Sequence, residues 1–295
     1  MTISASMVKE LRELTGAGMM DCKKALEETG GDIQKAVDVL RTKGLADLAK
    51  RAGRATNEGV ISAWVNDLGR VGSMVEINCE TDFVARNAEF TTFASAVAEQ
   101  VAVDAPSSAD LLLGLQWKRN PSITVQQALG ELVGKLGENI VITRFVRFDV
   151  PENGMVSSYI HGFGRIGVMV EIGGSDHSDA SVVALAKDVA MHIAASQPIC
   201  VLREDVPAET IEHETSIYKA QAAASGKPEA IQAKIAQGRI EKFYREVCLV
   251  EQPFVKDPDK TVEQLVAETS KALGKPLSVV RFERLVLGGS ADSKA

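Results

Sequence analysis

Long apolar runs are missing from this chain of 295 residues. No stretch approaches the roughly 18 consecutive apolar residues of a membrane span. The first twenty residues carry Lys9, Glu10, Arg12 and Glu13 where a secretory signal would place its apolar core. The expectation is a cytoplasmic protein. Cysteine is scarce: Cys22, Cys79, Cys200 and Cys248 stand too far apart to form a thiol-redox or zinc motif and predict four buried, reduced thiols. An excess of positive charge is missing too. With 33 Lys and Arg against 40 Asp and Glu the net charge is −7, which opposes the counterion-releasing phosphate contacts that dominate nonspecific nucleic-acid binding.

Common catalytic motifs are also absent: there is no Walker A loop, no H-E-x-x-H pair and no G-x-S-x-G elbow. Gly162, Gly164 and Gly167 do fit G-x-G-x-x-G. A dinucleotide site, however, needs that loop to open a helix, and here the β-rich Val168 to Ile172 follows. They read as turn glycines. The expectation is a protein that works by binding another protein, with no catalytic residue, no cofactor and no metal.

What is present is an ordinary globular composition, 45% hydrophobic and 25% charged, in a chain long enough for two or three domains. Residues 1–45 read as three short helices closed by Gly16, by Gly30 and Gly31, and near Gly44. Val8, Leu11 and Leu14, then Cys22, Ala25 and Leu26, then Ile33, Ala36, Val37 and Leu40 supply the apolar stripes of one small core. Met19 and Met20 are adjacent and cannot both face it; an exposed one is either incidental or a flexible contact for a partner. Lys43, Lys50, Arg51 and Arg54 follow as a basic tether, with residues 46–57 as the linker, solvated or, in a rival reading, a nucleic-acid contact.

The remainder is written twice. Shifted by 95 positions, Gly59, Ser62, Gly69, Arg70, Gly72 and Met74 to Ile77 match Gly154, Ser157, Gly164, Arg165, Gly167 and Met169 to Ile172. Shifted by 137, Thr124, Val125, Gln127, Leu136 and Gly137 match Thr261, Val262, Gln264, Leu273 and Gly274. The second copy has therefore gained residues between the matched segments, and 206–249, with Pro207, Ser225, Gly226 and Pro228 as punctuation, reads as an inserted helical hairpin. Its seam is expected from Ile211, Tyr218, Ile231, Ile235, Phe243 and Val247. Each copy is a β-hairpin, helices and a strand. Phe90, Phe93, Ala94, Val97 and Val101, and likewise Val182, Leu185, Val189 and Ile193, form helical core stripes. The closing strands are read from Val146, Arg147, Phe148 and Asp149 and from Val280, Arg281, Phe282 and Glu283.

The fold class is thus α+β: a small three-helix domain, then subdomains over 58–150 and 151–288 with antiparallel sheets, then a flexible tail over 289–295.

One corner stands out. After the strand ending near Cys79, Thr81 or Asp82 can cap a helix whose first turn holds Phe83 and Val84. Phe83 either staples that helix to the sheet or projects toward a partner. At the shift of 95 the second copy offers Asp176, His177, Ser178 and Asp179, the same corner with no apolar group, which favours projection. His161, at the other hairpin's tip, is either an ordinary turn residue or a contact, whereas His192 lies in an apolar helix as a core or boundary residue.

Leu14 to Lys24 (LTGAGMMDCKK), Asn78 to Val84 (NCETDFV), Lys135 to Ile140 (KLGENI), His161 with Gly162, and Gln252 to Val255 (QPFV) resemble the elongation factor Ts family across nearly the whole chain. The resemblance implies a ubiquitin-associated-like head, two similar core subdomains, and guanine nucleotide exchange on elongation factor Tu. It further implies that Thr81, Asp82, Phe83 and Val84 press toward the partner's magnesium site, with Met19, Met20, Lys23, Leu136, Gly137, His161 and Val255 as further contacts. Self-association through the helical hairpin is compatible with it. Relative to the shortest members, Asp104 to Pro121, with Trp117, Lys118 and Arg119, reads as a surface insertion. The rival classes are a nucleic-acid-binding module and an oxidoreductase using the glycine-rich hairpin; salt-dependent nucleic-acid binding or stabilisation by a dinucleotide would favour them.

Overall fold

The computed structural model describes residues 3–289 apart from 177, 225 and 227, so His177, Ser225 and the 290–295 part of the tail lie outside the described residues. The chain forms two compact units, Met1–Ser62 with Val75–Phe145, and Ala63–Met74 with Val146–Ala295. The architecture is α+β, a three-helix segment followed by two subdomains with small sheets. Among the described residues no helix is long and apolar enough to cross a membrane.

Helices α1 (Ala5–Thr15), α2 (Met19–Glu28) and α3 (Ile33–Arg51) enclose Val8, Leu11, Cys22, Ala25, Leu26 and Ala36. Ser4 and Asp32 cap α1 and α3 through their side chains, and Gly16 ends α1 in the left-handed region that costs glycine least. Leu14, expected in the core stripe, is instead exposed.

The third helix does not stop at Gly44. It continues to Arg51, because Gly44 is a packing residue: a Cβ there would lie 2.8 Å from the carbonyl oxygen of Gly130 on α7 (Val125–Leu136). The two helices cross nearly backbone to backbone, and Arg41 to Glu131 (3.1 Å) and Arg51 to the Val133 carbonyl (3.4 Å) flank the crossing. Lys43, Lys50 and Arg51 therefore stand on a helix rather than on a tether.

The first copy comprises β1 (Glu58–Val65), β2 (Val71–Cys79), α4 (Asp82–Ala85), α5 (Ala88–Asp104), α6 (Ala109–Gly114), β3 (Gln116–Trp117), β4 (Asn120–Thr124), α7 and β5 (Ile140–Asp149). The second comprises β6 (Gly154–His161), β7 (Ile166–Gly173), α8 (Ala180–Ser196), α9 (Ala208–Ala223), α10 (Glu229–Val247), β8 (Pro253–Phe254), β9 (Asp257–Thr261), α11 (Val262–Leu273) and β10 (Ser278–Val286). Their three-stranded sheets run β1-β2-β5 and β6-β7-β10, each with the hairpin's second strand in the middle. The second is antiparallel throughout. The expected core stripes of α5 and α8 are buried.

Side-chain chemistry repeats with the backbone. Capping boxes Thr124/Gln127 and Thr261/Gln264 start α7 and α11, and Gly137 and Gly274 end them in the left-handed region. Glu76 accepts from Arg144 Nε at 2.7 Å, and Glu171 from Arg281 Nε at 2.7 Å. That pairing corrects the reading of the closing strands: Arg281 answers to Arg144 at the shift of 137, not to Arg147, and the Val-Arg-Phe repeat is out of register with the fold. Trp117 also departs from expectation. It is buried and its ring lies 5.2 Å from that of Phe93, and the short β3–β4 ribbon recurs as β8–β9 with Phe254 in its place. The ribbon over 116–124 is thus a duplicated element with Trp117 in the core rather than part of a surface insertion.

The hairpin α9–α10 opens at Pro207 and Pro228. Its two ends meet at its base, where Ile199 N–H donates to the Val247 carbonyl (2.9 Å) and Leu249 N–H to the Cys200 carbonyl (2.9 Å). Ile211 and Phe243 pack there against Cys200, Val206, Val247 and Cys248, while Ile231 is exposed and Ala222, Ala236 and Ile240 supply buried positions the seam reading omitted. Because the base closes on itself, replacing residues 208–246 by a short turn, with Val247 kept, is expected to leave a cooperatively unfolding protein. A broad, non-cooperative thermal transition in that deletion would contradict this.

Candidate functional site

The Thr81 corner is a single helical turn on a clamped base. Thr81, in extended conformation, caps α4 by accepting from Val84 N–H at 3.4 Å. Its hydroxyl donates to Glu138 Oε1 at 2.6 Å, and Glu138 Oε2 accepts the N–H groups of Glu80 (3.1 Å) and Thr81 (3.0 Å). Glu80 Oε1 in turn accepts from Asn139 N–H at 2.7 Å and from Arg54 at 3.2 Å. Asn139 N–H, then Arg54, hold the Glu80 carboxyl below the usual carboxylate range, so this support is present at neutral pH and fades as acid protonates it. Burial and the Glu138 charge push the Cys79 thiol up to about 12, and as a thiol it donates to the Thr81 carbonyl at 3.2 Å.

Burial then sorts the tetrapeptide. Val84 and Ala85 point into the core, Asp82 pairs with Arg86 at 3.5 Å, and Phe83 is 83% exposed. Phe83 therefore staples nothing. Nor does the second copy show the same corner: the long helices begin at caps Asn87 and Asp179, a shift of 92, so the chain there reaches its helix three residues sooner and, among the described residues, has no counterpart of α4. Among the described residues the turn belongs to the first copy alone.

The other sequence candidates are distributed over the two units. On the head, Met19 and Met20 are both exposed at the start of α2, and Lys23 pairs loosely with Glu27 at 3.7 Å. Leu136 is half-buried at the end of α7, and Gly137, with φ +79°, turns the chain so that Glu138 reaches the Thr81 corner. In the second unit His161 is exposed at the end of β6, its Nδ1 3.0 Å from the Tyr159 hydroxyl. Val255 is exposed, and its N–H donates to His192 Nδ1 at 3.2 Å.

His192 is fully buried, its Nε2 sits 2.9 Å from Gln252 Oε1, and burial lowers its pKa and keeps the ring neutral. With Nδ1 accepting, the proton resides on Nε2. In the first copy Gln100 does the same for Lys118 N–H at 3.3 Å, so His192 is a satisfied core residue, as its helix suggested.

Sequence reasoning missed Glu138, Glu80, Arg54 and Asn139 as the base of the corner, although Glu138 and Asn139 lie in the KLGENI motif. It also missed Leu14 and Phe163 among the exposed large apolar residues. Three of the four basic residues offered to a nucleic acid are engaged: Lys43 with Asp21, Arg51 with Asp47 (3.6 Å) and Arg54 with Glu80 (3.2 Å).

This geometry suits a protein contact in which one projecting ring is presented on a rigid base. A family model described as elongation factor TS matches residues 80–289. Curated proteins named elongation factor Ts are similar over almost their full length. That of Clostridium perfringens (strain SM101 / Type A) is 51% identical over 292 residues, 99% of this chain and 95% of its own. That of Clostridium botulinum (strain Alaska E43 / Type E3) is 48% identical over 286 residues, 97% and 93%. That of Clostridium novyi (strain NT) is 44% identical over 292 residues, 99% and 95%.

Proposed function

The chain belongs to the elongation factor Ts family, and from that premise we propose that its Thr81–Val84 corner is the wedge of a nucleotide exchange factor, with Phe83 as the group that enters the partner. The protein is not an enzyme. It is a guanine nucleotide exchange factor of translation elongation, a cytoplasmic process: it binds elongation factor Tu carrying GDP, promotes loss of GDP and magnesium, and is displaced by GTP.

Exchange of this kind makes and breaks no covalent bond. It requires tighter binding to the nucleotide-free GTPase than to the GDP-bound one, because only differential affinity moves an equilibrium. The coupling is reciprocal, so whatever ratio the factor takes from GDP affinity, GDP takes from the factor. A ring entering beside the magnesium site displaces the ligands that neutralise the β-phosphate, and Asp82 beside it adds a negative charge where the phosphate must sit. Met19, Met20, Lys23, Leu136, Gly137, His161 and Val255 supply binding that offsets the loss of nucleotide contacts; Thr81 and Val84 hold the turn.

The observation that carries the wedge is the exposure of Phe83, 83%, on a turn whose backbone is tied by Glu138. An exposed ring on mobile chain would lose ordering entropy on binding; one on a fixed base keeps most of its contact energy. The direct test is release of fluorescent GDP from elongation factor Tu with and without this protein. Acceleration at substoichiometric factor is expected, and an unchanged rate would overturn the exchange reading.

A further inference from the structure

We propose that Phe163, at the tip of the β6–β7 hairpin, is a second apolar anchor for the GTPase, one that sets the affinity of the encounter without acting on the nucleotide; this rests on the exchange reading above. Phe163 is 94% exposed, more than any other large apolar side chain among the described residues. Its backbone is also in the left-handed region, φ +55°. Glycine adopts that conformation freely; a bulky residue does so only at a cost in strain.

Among the described residues the other two non-glycine residues there, Ala105 and Gln197, close α5 and α8, with their N–H groups bonded back to Val101 and Ile193. Phe163 closes no helix. It stands between Gly162 (φ +61°) and Gly164 (φ +86°), where a third glycine would fit without strain. The first copy turns its own hairpin with Gly69 alone in that region and with the Asn66 side chain accepting from Arg70 and Val71 N–H. The fold thus neither buries Phe163 nor needs it for the turn, and its exposure and strain both oppose its presence. A contact outside the chain accounts for both.

The tip is built to present the ring. Arg165 N–H donates to the carbonyls of His161 (3.1 Å) and Gly162 (3.3 Å), and the Arg165 carbonyl accepts from Leu287 N–H at 2.9 Å. Tyr159 and His161 sit beside it with ring centroids 6.0 Å apart. An aromatic side chain on pinned backbone loses little entropy on docking, which is why such residues serve as anchors. The recipient is an apolar recess on the GTPase next to the surface that takes His161.

The test titrates full-length wild type, Phe163→Gly and Phe163→Leu against elongation factor Tu loaded with fluorescent GDP. For Phe163→Gly the factor concentration giving half-maximal stimulation should rise about tenfold, while the saturating rate stays within about twofold. Phe163→Leu should recover most of the loss. Unchanged half-saturation in Phe163→Gly overturns the anchor alone; a wild type that fails to stimulate release overturns the exchange reading and the anchor with it. A clear fall in the thermal midpoint of Phe163→Gly would assign the ring to the fold. A change in oligomeric state with normal half-saturation would assign it to a second copy of this chain. Either result overturns the proposal.

Discussion

Truncating Phe83 to alanine is expected to slow stimulated GDP release by at least about tenfold while leaving the factor as stable as wild type. The ring is 83% exposed, so its removal opens no cavity and returns little apolar surface to water. Alanine is also a better residue than phenylalanine for a helical turn. All of the expected effect lies in the complex, where truncation of a buried aromatic anchor commonly costs about 2 kcal/mol or more. The loss should be unequal. A wedge acts by differential affinity, so Phe83→Ala should weaken binding to nucleotide-free elongation factor Tu more than binding to the GDP-bound form, with the coupling between factor and GDP reduced by the same ratio measured from either side. Phe163→Gly should weaken both forms alike. Near-normal exchange by Phe83→Ala would reject the wedge.

The parts of the fold legible in the sequence were those written in local chemistry or in repetition. The glycines at 16, 30 and 31 do take positive φ, and the capping boxes at Thr124 and Thr261 carry their glutamines at the matched positions. Gly44 was misread because the same residue type ends a helix and admits a close helix crossing; which role it plays depends on Gly130, far away in sequence. The closing strand was misread for the opposite reason. A conspicuous local match, Val-Arg-Phe, outweighed the shift of 137 already set by α7 and α11, yet that shift places Arg144-Phe145 on Arg281-Phe282 and Trp117 on Phe254. Held consistently, it would have put Trp117 in the core. For the site, the projecting residue could be found from the sequence because its duplicate lacks it, although among the described residues the duplicate shows no such turn either. The clamp beneath it could not, since Glu138 meets Thr81 across 57 residues and no local pattern marks that meeting.

That clamp is where the second large effect is expected. Glu138→Ala removes one carboxylate that accepts from two backbone N–H groups and a hydroxyl, and leaves the amides of Glu80 and Thr81 without that acceptor in a half-buried position. Hydrogen bonds to a charged group contribute about 1.5–3 kcal/mol each, and the losses here are not additive because water can reach part of the site. A destabilisation of about 2–4 kcal/mol is expected. Stimulated exchange should fall as well, even with factor in excess and at a temperature where the variant remains folded, because Phe83 is then presented by a turn whose first residue is untethered. Thr81 links the two effects: its hydroxyl donates to Glu138 while accepting from Val84 N–H, so losing the carboxylate frees the hydroxyl to rotate away from the cap. Glu138→Gln should fall between, since an amide keeps one acceptor oxygen but sets its NH2 against donors on the other side. Hydrogen exchange at Glu80 and Thr81 separates local loosening from global unfolding. If those two amides stay as protected in Glu138→Ala as in wild type while exchange on the GTPase is lost, Glu138 acts as a contact rather than as a clamp.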